Sequence, residues 1–207
     1  IKGKKRVKSV IVSKVNENLK PIPGTEKKIK CDTVLLSVGL IPENELSTEA
    51  GIHLDKVTGG PIVNEIRETE IEGIFACGNV LQVHDLVDYV TEEGEIAGRS
   101  AKKYLDNKLQ KKDCPVNIKT DKNIRYVVPS HIDYNDNERK VVKLFLRVKK
   151  PMENVIICIK DNNEEEIVSF KKDIVTPGEM VSLYLPDKFI KYSHKELTIS
   201  LKKRRKV

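Results

Sequence analysis

With 207 residues, 39% hydrophobic content and a net charge of +7, the chain is long enough to bury a core, and two small domains are the expected arrangement. No apolar run approaches the roughly 20 residues that cross a bilayer. The start Ile1-Lys2-Gly3-Lys4-Lys5-Arg6 also lacks the apolar stretch of a signal peptide, so a soluble, cytoplasmic protein with no membrane span is expected. The basic balance raises nucleic acid as a partner, but the lysines are spread over nearly every segment. Aromatic residues make up only 5%, with no Trp to stack on bases, so solvated lysine faces are the better account.

The tail Leu201-Lys-Lys-Arg-Arg-Lys-Val207 matches a basic nuclear-localisation pattern, a short motif that arises readily by chance. Cys31, Cys77, Cys114 and Cys158 are widely scattered. They form neither a Cys-x-x-Cys redox pair nor, with neighbouring histidines, a zinc site, and most are expected to be buried thiols. No metal is expected.

In chain order, Arg6 to Val15 alternates apolar Val7, Val10 and Val12 with polar neighbours, and Asn16 to Thr25 brings turn residues including Pro21, Pro23 and Gly24. These predict one arm of a hairpin whose other arm is Lys27 to Val38. The run Thr33-Val-Leu-Leu-Ser-Val38 is too apolar for a strand with one wet face and predicts entry into a covered sheet. Gly39 and Pro42 break it. One or two helical turns are expected over Asn44 to Ala50, then short strands around the Gly59-Gly60 turn.

The stretch from Thr69 to Asn79 reads as a short buried strand, Ile74-Phe75-Ala76-Cys77, ending on Gly78, where the backbone can turn or approach another group closely. A long helix is predicted from Leu86 to Leu105, with Val87, Val90, Gly94, Ala97, Ala101 and Tyr104 at steps of three and four. The small middle of that face predicts close packing on a sheet or cofactor, which would compensate the propensity cost of Gly94 and Gly98, roughly 1 kcal/mol each.

The polar segment Asp106 to Asp113 closes the first region, and the expected domains are 1–113 and 114–207. From Ile124 onward only alternating segments occur. Val142, Leu144, Leu146 and Val148 stand against Lys143, Arg147 and Lys149, and similar patterns run through Val155 to Ile159, Val181 to Leu185 and Leu197 to Leu201. Turns are expected at Asp161-Asn162-Asn163 and Thr176-Pro177-Gly178, and the spacing suits an all-β sandwich of the immunoglobulin-like kind.

Three motifs in order carry a family resemblance. Cys31 to Asn44, Thr69 to Asn79 and Thr91-Glu-Glu-Gly94-Glu-Ile-Ala97-Gly98 resemble, respectively, the strand leaving the nicotinamide domain, the second flavin fingerprint and the following helix of the oxidoreductases with two dinucleotide-binding domains. This class contains thioredoxin reductase and the NADH oxidases. His84-Asp85-Leu86-Val87-Asp88 and the β-rich tail are similar to a subgroup near anaerobic glycerol-3-phosphate dehydrogenase and sarcosine-oxidase-like flavoproteins.

The resemblance implies an α/β remnant of such a flavoprotein ahead of the sandwich, with FAD as cofactor of the parent protein and NAD(P) as a further one. It places Gly78, Asn79 and Val80 at the ribityl-pyrophosphate end of the flavin. It also places the backbone amides of Asp85, Leu86 and Val87 at a helix start facing the flavin pyrimidine, where negative charge develops on reduction. Asn79 stands where the family usually has aspartate. His84 is read as a hydrogen-bonding structural group ahead of a general acid, and no catalytic residue is assigned.

No G-x-G-x-x-G and no catalytic Cys-x-x-Cys occurs in these residues. The expectation is therefore a C-terminal fragment whose first partner is the N-terminal part of its own polypeptide, with poor FAD affinity and no activity alone. Alternatives are a sandwich that docks a partner subunit and a basic nucleic-acid-binding protein.

Overall fold

The computed structural model describes residues 1–136, 138–190 and 195–204, so the end of the basic tail pattern, 205–207, lies outside the described residues. The chain forms two compact units, Ile1–Gly39 and Leu40–Val207. In the first, β1 (Ser9–Val12) pairs antiparallel with β2 (Lys27–Lys30) in the expected hairpin, Ser9 opposite Lys30 and Val12 opposite Lys27. The second arm stops there. Residues 33–38 form no regular strand, and Leu35 is 92% and Val38 85% exposed. An apolar strand of this kind needs neighbours on both edges and cover on both faces, and here it has neither.

The second unit opens with α1 (Glu45–Glu49), the short helix expected near Asn44. Residues 52–76 hold together as turns and isolated bridges, Leu54 with Pro61, Val63 with Thr69 and Glu68 with Phe75. The buried strand expected at Ile74 to Cys77 is thus a single bridge, with Ala76 buried and Ile74 36% exposed. The 19-residue helix α2 (Val87–Leu105) ends where the sequence reading put it and starts one residue later. Among the described residues no helix is long and apolar enough to cross a membrane.

Among the described residues, eight strands follow: β3 (Gln110–Thr120), β4 (Ile124–Val128), β5 (His131–Asn135), β6 (Val141–Val148), β7 (Met152–Lys160), β8 (Glu166–Val175), β9 (Val181–Pro186) and β10 (Glu196–Lys203). They form a five-stranded sheet, ordered β5-β3-β10-β7-β8, and a three-stranded sheet, β4-β6-β9. All pairings are antiparallel except β3 with β10. Val116, Leu144, Leu146, Ile157, Leu183 and Ile199 from both sheets meet in one buried apolar cluster.

The 161–163 turn forms as expected, with Asp161 Oδ1 accepting from the Asn163 and Glu165 amides at 2.9 Å. Strand structure begins at Gln110, earlier than the polar residues Asp106 to Asp113 imply, because the edge strand β5 supplies pairing that alternation cannot reveal. The chain is mostly strands with few helices, and residues on both sides of the helix-to-sheet transition belong to the same compact unit.

β6 departs from the half-buried pattern. Val142 to Leu146 are all buried, Lys143 among them, so both faces of this strand are covered. One face joins the apolar cluster, and the other meets the start of α2 and the loop before it.

Candidate functional site

The loop 64–68 is closed by Asn64, whose Oδ1 accepts from the Ile66 and Glu68 amides, both at 3.1 Å. This closure places Arg67 in the left-handed region, φ +68°, with its side chain fully buried. Such a conformation costs a non-glycine residue roughly 1–2 kcal/mol. The side chain meets a partner there: Arg67 Nε donates to Glu93 Oε1 at 3.2 Å. Glu93, itself fully buried on α2, also accepts from Gln82 Nε2 at 3.2 Å and from the Gly78 amide at 3.0 Å, and lies 2.8 Å from His84 Nε2. One carboxylate therefore ties the 64–68 loop, the 3-10 turn Gly78–Val80, the segment 82–84 and α2 together.

Burial alone would raise the Glu93 carboxyl. The hydrogen bond from His84, the charges of Arg67 and His84 and the Gly78 amide outweigh it and hold the group below the ordinary carboxylate range. Burial likewise pulls the Arg67 guanidinium down, against the opposing pull of Glu93 and Glu65. Cys77 beside this pair is raised by burial and by Glu93, so it is a thiol and not a nucleophilic thiolate. Of the four cysteines only Cys158 is buried; Cys114 is exposed and the other two are intermediate, because the strands expected to cover them are short or absent.

The residues expected at a flavin site lie on the turn Gly78–Val80 and at the start of α2. Gly78 has φ +71°, and a Cβ there would meet Val90 Cγ1 at 3.2 Å. Its amide is already given to Glu93. Asn79 Oδ1 accepts from the His84 amide at 3.0 Å, and the Val80 carbonyl accepts from Asn44 Nδ2 at 2.8 Å. The carboxylate of Asp85 is held by Arg147 Nη2 and by the Met180 amide, so it faces the sandwich. Leu86, the N-cap of α2, has an extended backbone and makes no side-chain capping bond. Leu86 is 53% and Val87 75% exposed. The first amides of α2 thus stand without a side-chain cap beside exposed apolar side chains.

The small face of α2 is packed at Ala97 but not at its glycines. A Cβ at Gly94 or Gly98 would meet nothing within 4 Å, while Glu93, Ala97 and Ser100 are the buried positions. The buried stripe is rotated by about one residue from the one the small residues marked. Arg67, Gln82 and Glu93 were missed by sequence reasoning. The available signal was Glu93 standing in step with Val90, Ala97 and Ser100, a charge on a helix face that also carries apolar residues. His84 is a buried hydrogen-bonding group, as read.

Residues 1–94 match the model of the pyridine nucleotide-disulphide oxidoreductase family. This segment belongs to that family. The chain is 32% identical over 91 residues to bacilliredoxin reductase of Bacillus subtilis, covering 42% of this chain and 28% of that protein. It is 28% identical over 107 residues to thioredoxin reductase of Treponema pallidum, covering 51% and 32%. An uncharacterised protein from the ansA 5′ region of Bacillus licheniformis is 31% identical over 78 residues, covering 37% and 64%. The chain therefore spans about a third or less of the two named reductases. No solved structure matches it significantly.

Members of this family generally bind FAD and NAD(P). The residues present fit a flavin at the start of α2, where no side chain caps the first amides and Leu86 and Val87 are exposed. They do not fit one through the Gly78 amide, which Glu93 holds.

Proposed function

We propose that residues 1–113 are the C-terminal portion of a flavin-dependent oxidoreductase that passes electrons between a nicotinamide or small organic substrate and FAD, and that 114–207 is an attached immunoglobulin-like sandwich. The uncapped, apolar start of α2, directly after the Thr69 to Asn79 motif inside the family-matched segment, carries this reading. FAD, when bound, supplies the electron transfer. The chain supplies amides at 86–87 that favour negative charge, a turn at 78–80 whose glycine takes a positive φ, and the Glu93 cluster that fixes both.

The exposed Leu35, Leu36, Val38, Gly94 and Gly98 support the view that a preceding part of the same polypeptide covers them, and that this chain alone is inactive. The strand crossings support the immunoglobulin-like reading of the sandwich. The chain changes sheet between β6 and β7 and again between β9 and β10, so the β6/β9 pair interlocks with β7/β10.

The test is an FAD titration, followed by flavin fluorescence, of the polypeptide at its natural length. Saturable binding weakened at least tenfold by Val87→Asp is the expected result. Absence of binding at natural length overturns the reading.

A further inference from the structure

The outer face of β6 presents Lys143, Phe145 and Arg147 in alternation, and all three engage residues 83–92. Lys143 Nζ pairs with Glu92 Oε2 and lies 4.7 Å from the ring centre of Tyr89, 5.0 Å from that of Phe145 and 5.3 Å from that of Tyr184. The Phe145 ring packs edge-on to His84 at 5.3 Å and tilted against Tyr89 at 5.3 Å. Arg147 Nη2 donates to Asp85 Oδ1 at 2.5 Å and to the Val83 carbonyl at 3.1 Å. Its Nε donates to Tyr126 Oη at 3.1 Å and its Nη1 to the Pro177 carbonyl at 3.4 Å. The planar fork is thus anchored on the sandwich on one side and grips the loop before α2 on the other. Asp85 Oδ2 completes the grip by accepting from the Met180 amide, on the connection into β9.

We infer that the sandwich is an internal brace for the loop 83–87 and the start of α2, with Arg147 as the positioning residue that sets where the open amides of Leu86 and Val87 stand. Every bond that holds the Asp85 side chain comes from the sandwich, and the same loop carries the groups assigned to the flavin. A loop of this kind has no regular secondary structure to fix it, so its geometry depends on side-chain bonds from a rigid neighbour. Deleting the sandwich therefore disturbs the site without touching any residue in it. The functional meaning of the brace rests on the flavin reading; its existence does not.

The test is amide hydrogen exchange on the full chain, comparing wild type with Arg147→Ala and, from the loop side, Asp85→Asn, and with Lys202→Ala as a control on β10. Both variants are expected to exchange the amides of residues 83–90 at least tenfold faster while β7 and β10 keep their protection, and the control to change nothing. An unchanged loop, or a uniform rise across the sandwich, overturns the inference. FAD titration of the same variants in the polypeptide at its natural length reads the second level: tenfold weaker binding in both supports the brace as part of a flavin site. Faster loop exchange without any FAD binding leaves the brace standing and removes the flavin reading.

Discussion

The two halves of the second unit are stabilised by different physics. The sandwich is held by apolar side chains from two sheets, Leu144, Leu146, Ile157, Ile159, Leu185 and Ile199 among them, all fully buried. The segment before α2 has a buried apolar cluster of only Val63, Ala76, Leu81 and Val128, and Val128 belongs to the sandwich. In place of a core it has buried polar groups. Glu93 gathers Arg67, Gln82, His84 and Gly78. Glu65 accepts from the Asp133 and Tyr134 amides on the edge strand β5 and from Arg139 Nη1 at 2.8 Å. Glu68 accepts from Tyr134 Oη at 2.6 Å. A segment built from loops cannot bury its backbone against a sheet, so charged side chains satisfy it, and several of their partners come from the sandwich.

That contrast can be broken experimentally. The largest effect is expected from Glu93→Gln, which removes the carboxylate paired with the buried Arg67 guanidinium and should cost about 3–5 kcal/mol by urea unfolding. A cost below ~1 kcal/mol would mean that the cluster is not what holds the segment. Ile157→Ala, in the apolar core, should cost about 2–5 kcal/mol with the loss appearing as global unfolding, since it empties space shared by both sheets.

Acid should separate the halves. Glu93 has an ordinary value near 4.5 and is depressed in the fold, as are Asp133 and Asp136 through His131 and Lys103 despite their burial. The stability these groups contribute is fully present above the unfolded-state values and is lost as pH falls through the lower folded values. Amides of residues 64–84 should then lose exchange protection before those of β6, β7 and β10. Simultaneous loss would contradict the division. The smallest effect is a gain: Gly94→Ala or Gly98→Ala should stabilise the isolated chain by about 0.5–1 kcal/mol, because a Cβ there meets nothing. The same changes should weaken flavin binding at natural length if another part of the polypeptide covers that face.

Much of this was legible in the sequence. The hairpin of β1 and β2, helix α2 and strands β6, β7, β9 and β10 follow from period and turn residues, although the burial of β6 and the buried stripe of α2 do not. The run from Thr33 to Val38 reads as a strand and is not one here, since strand formation depends on partners that a local pattern does not contain. Lys143 and Arg147 read as solvated positions on a half-exposed strand; their burial comes from residues 83–92, more than fifty positions away in sequence. Gly78, Asn79, Asp85, Leu86 and Val87 were picked out by motif; Gly78 and Asn79 are tied into the turn before α2, while Asp85 is held by the sandwich. The Glu93 centre that positions Gly78 was hidden, because a glutamate in a helix ordinarily faces water.

The central proposal, that the start of α2, held in place by the Glu93 cluster and the turn at Gly78, forms one side of a flavin site, is tested most directly by the visible spectrum of the polypeptide at its natural length. The account expects flavin absorption bands that bleach on anaerobic addition of a reduced nicotinamide or an oxidisable substrate, with FAD released on denaturation. A colourless protein that releases no flavin would contradict it.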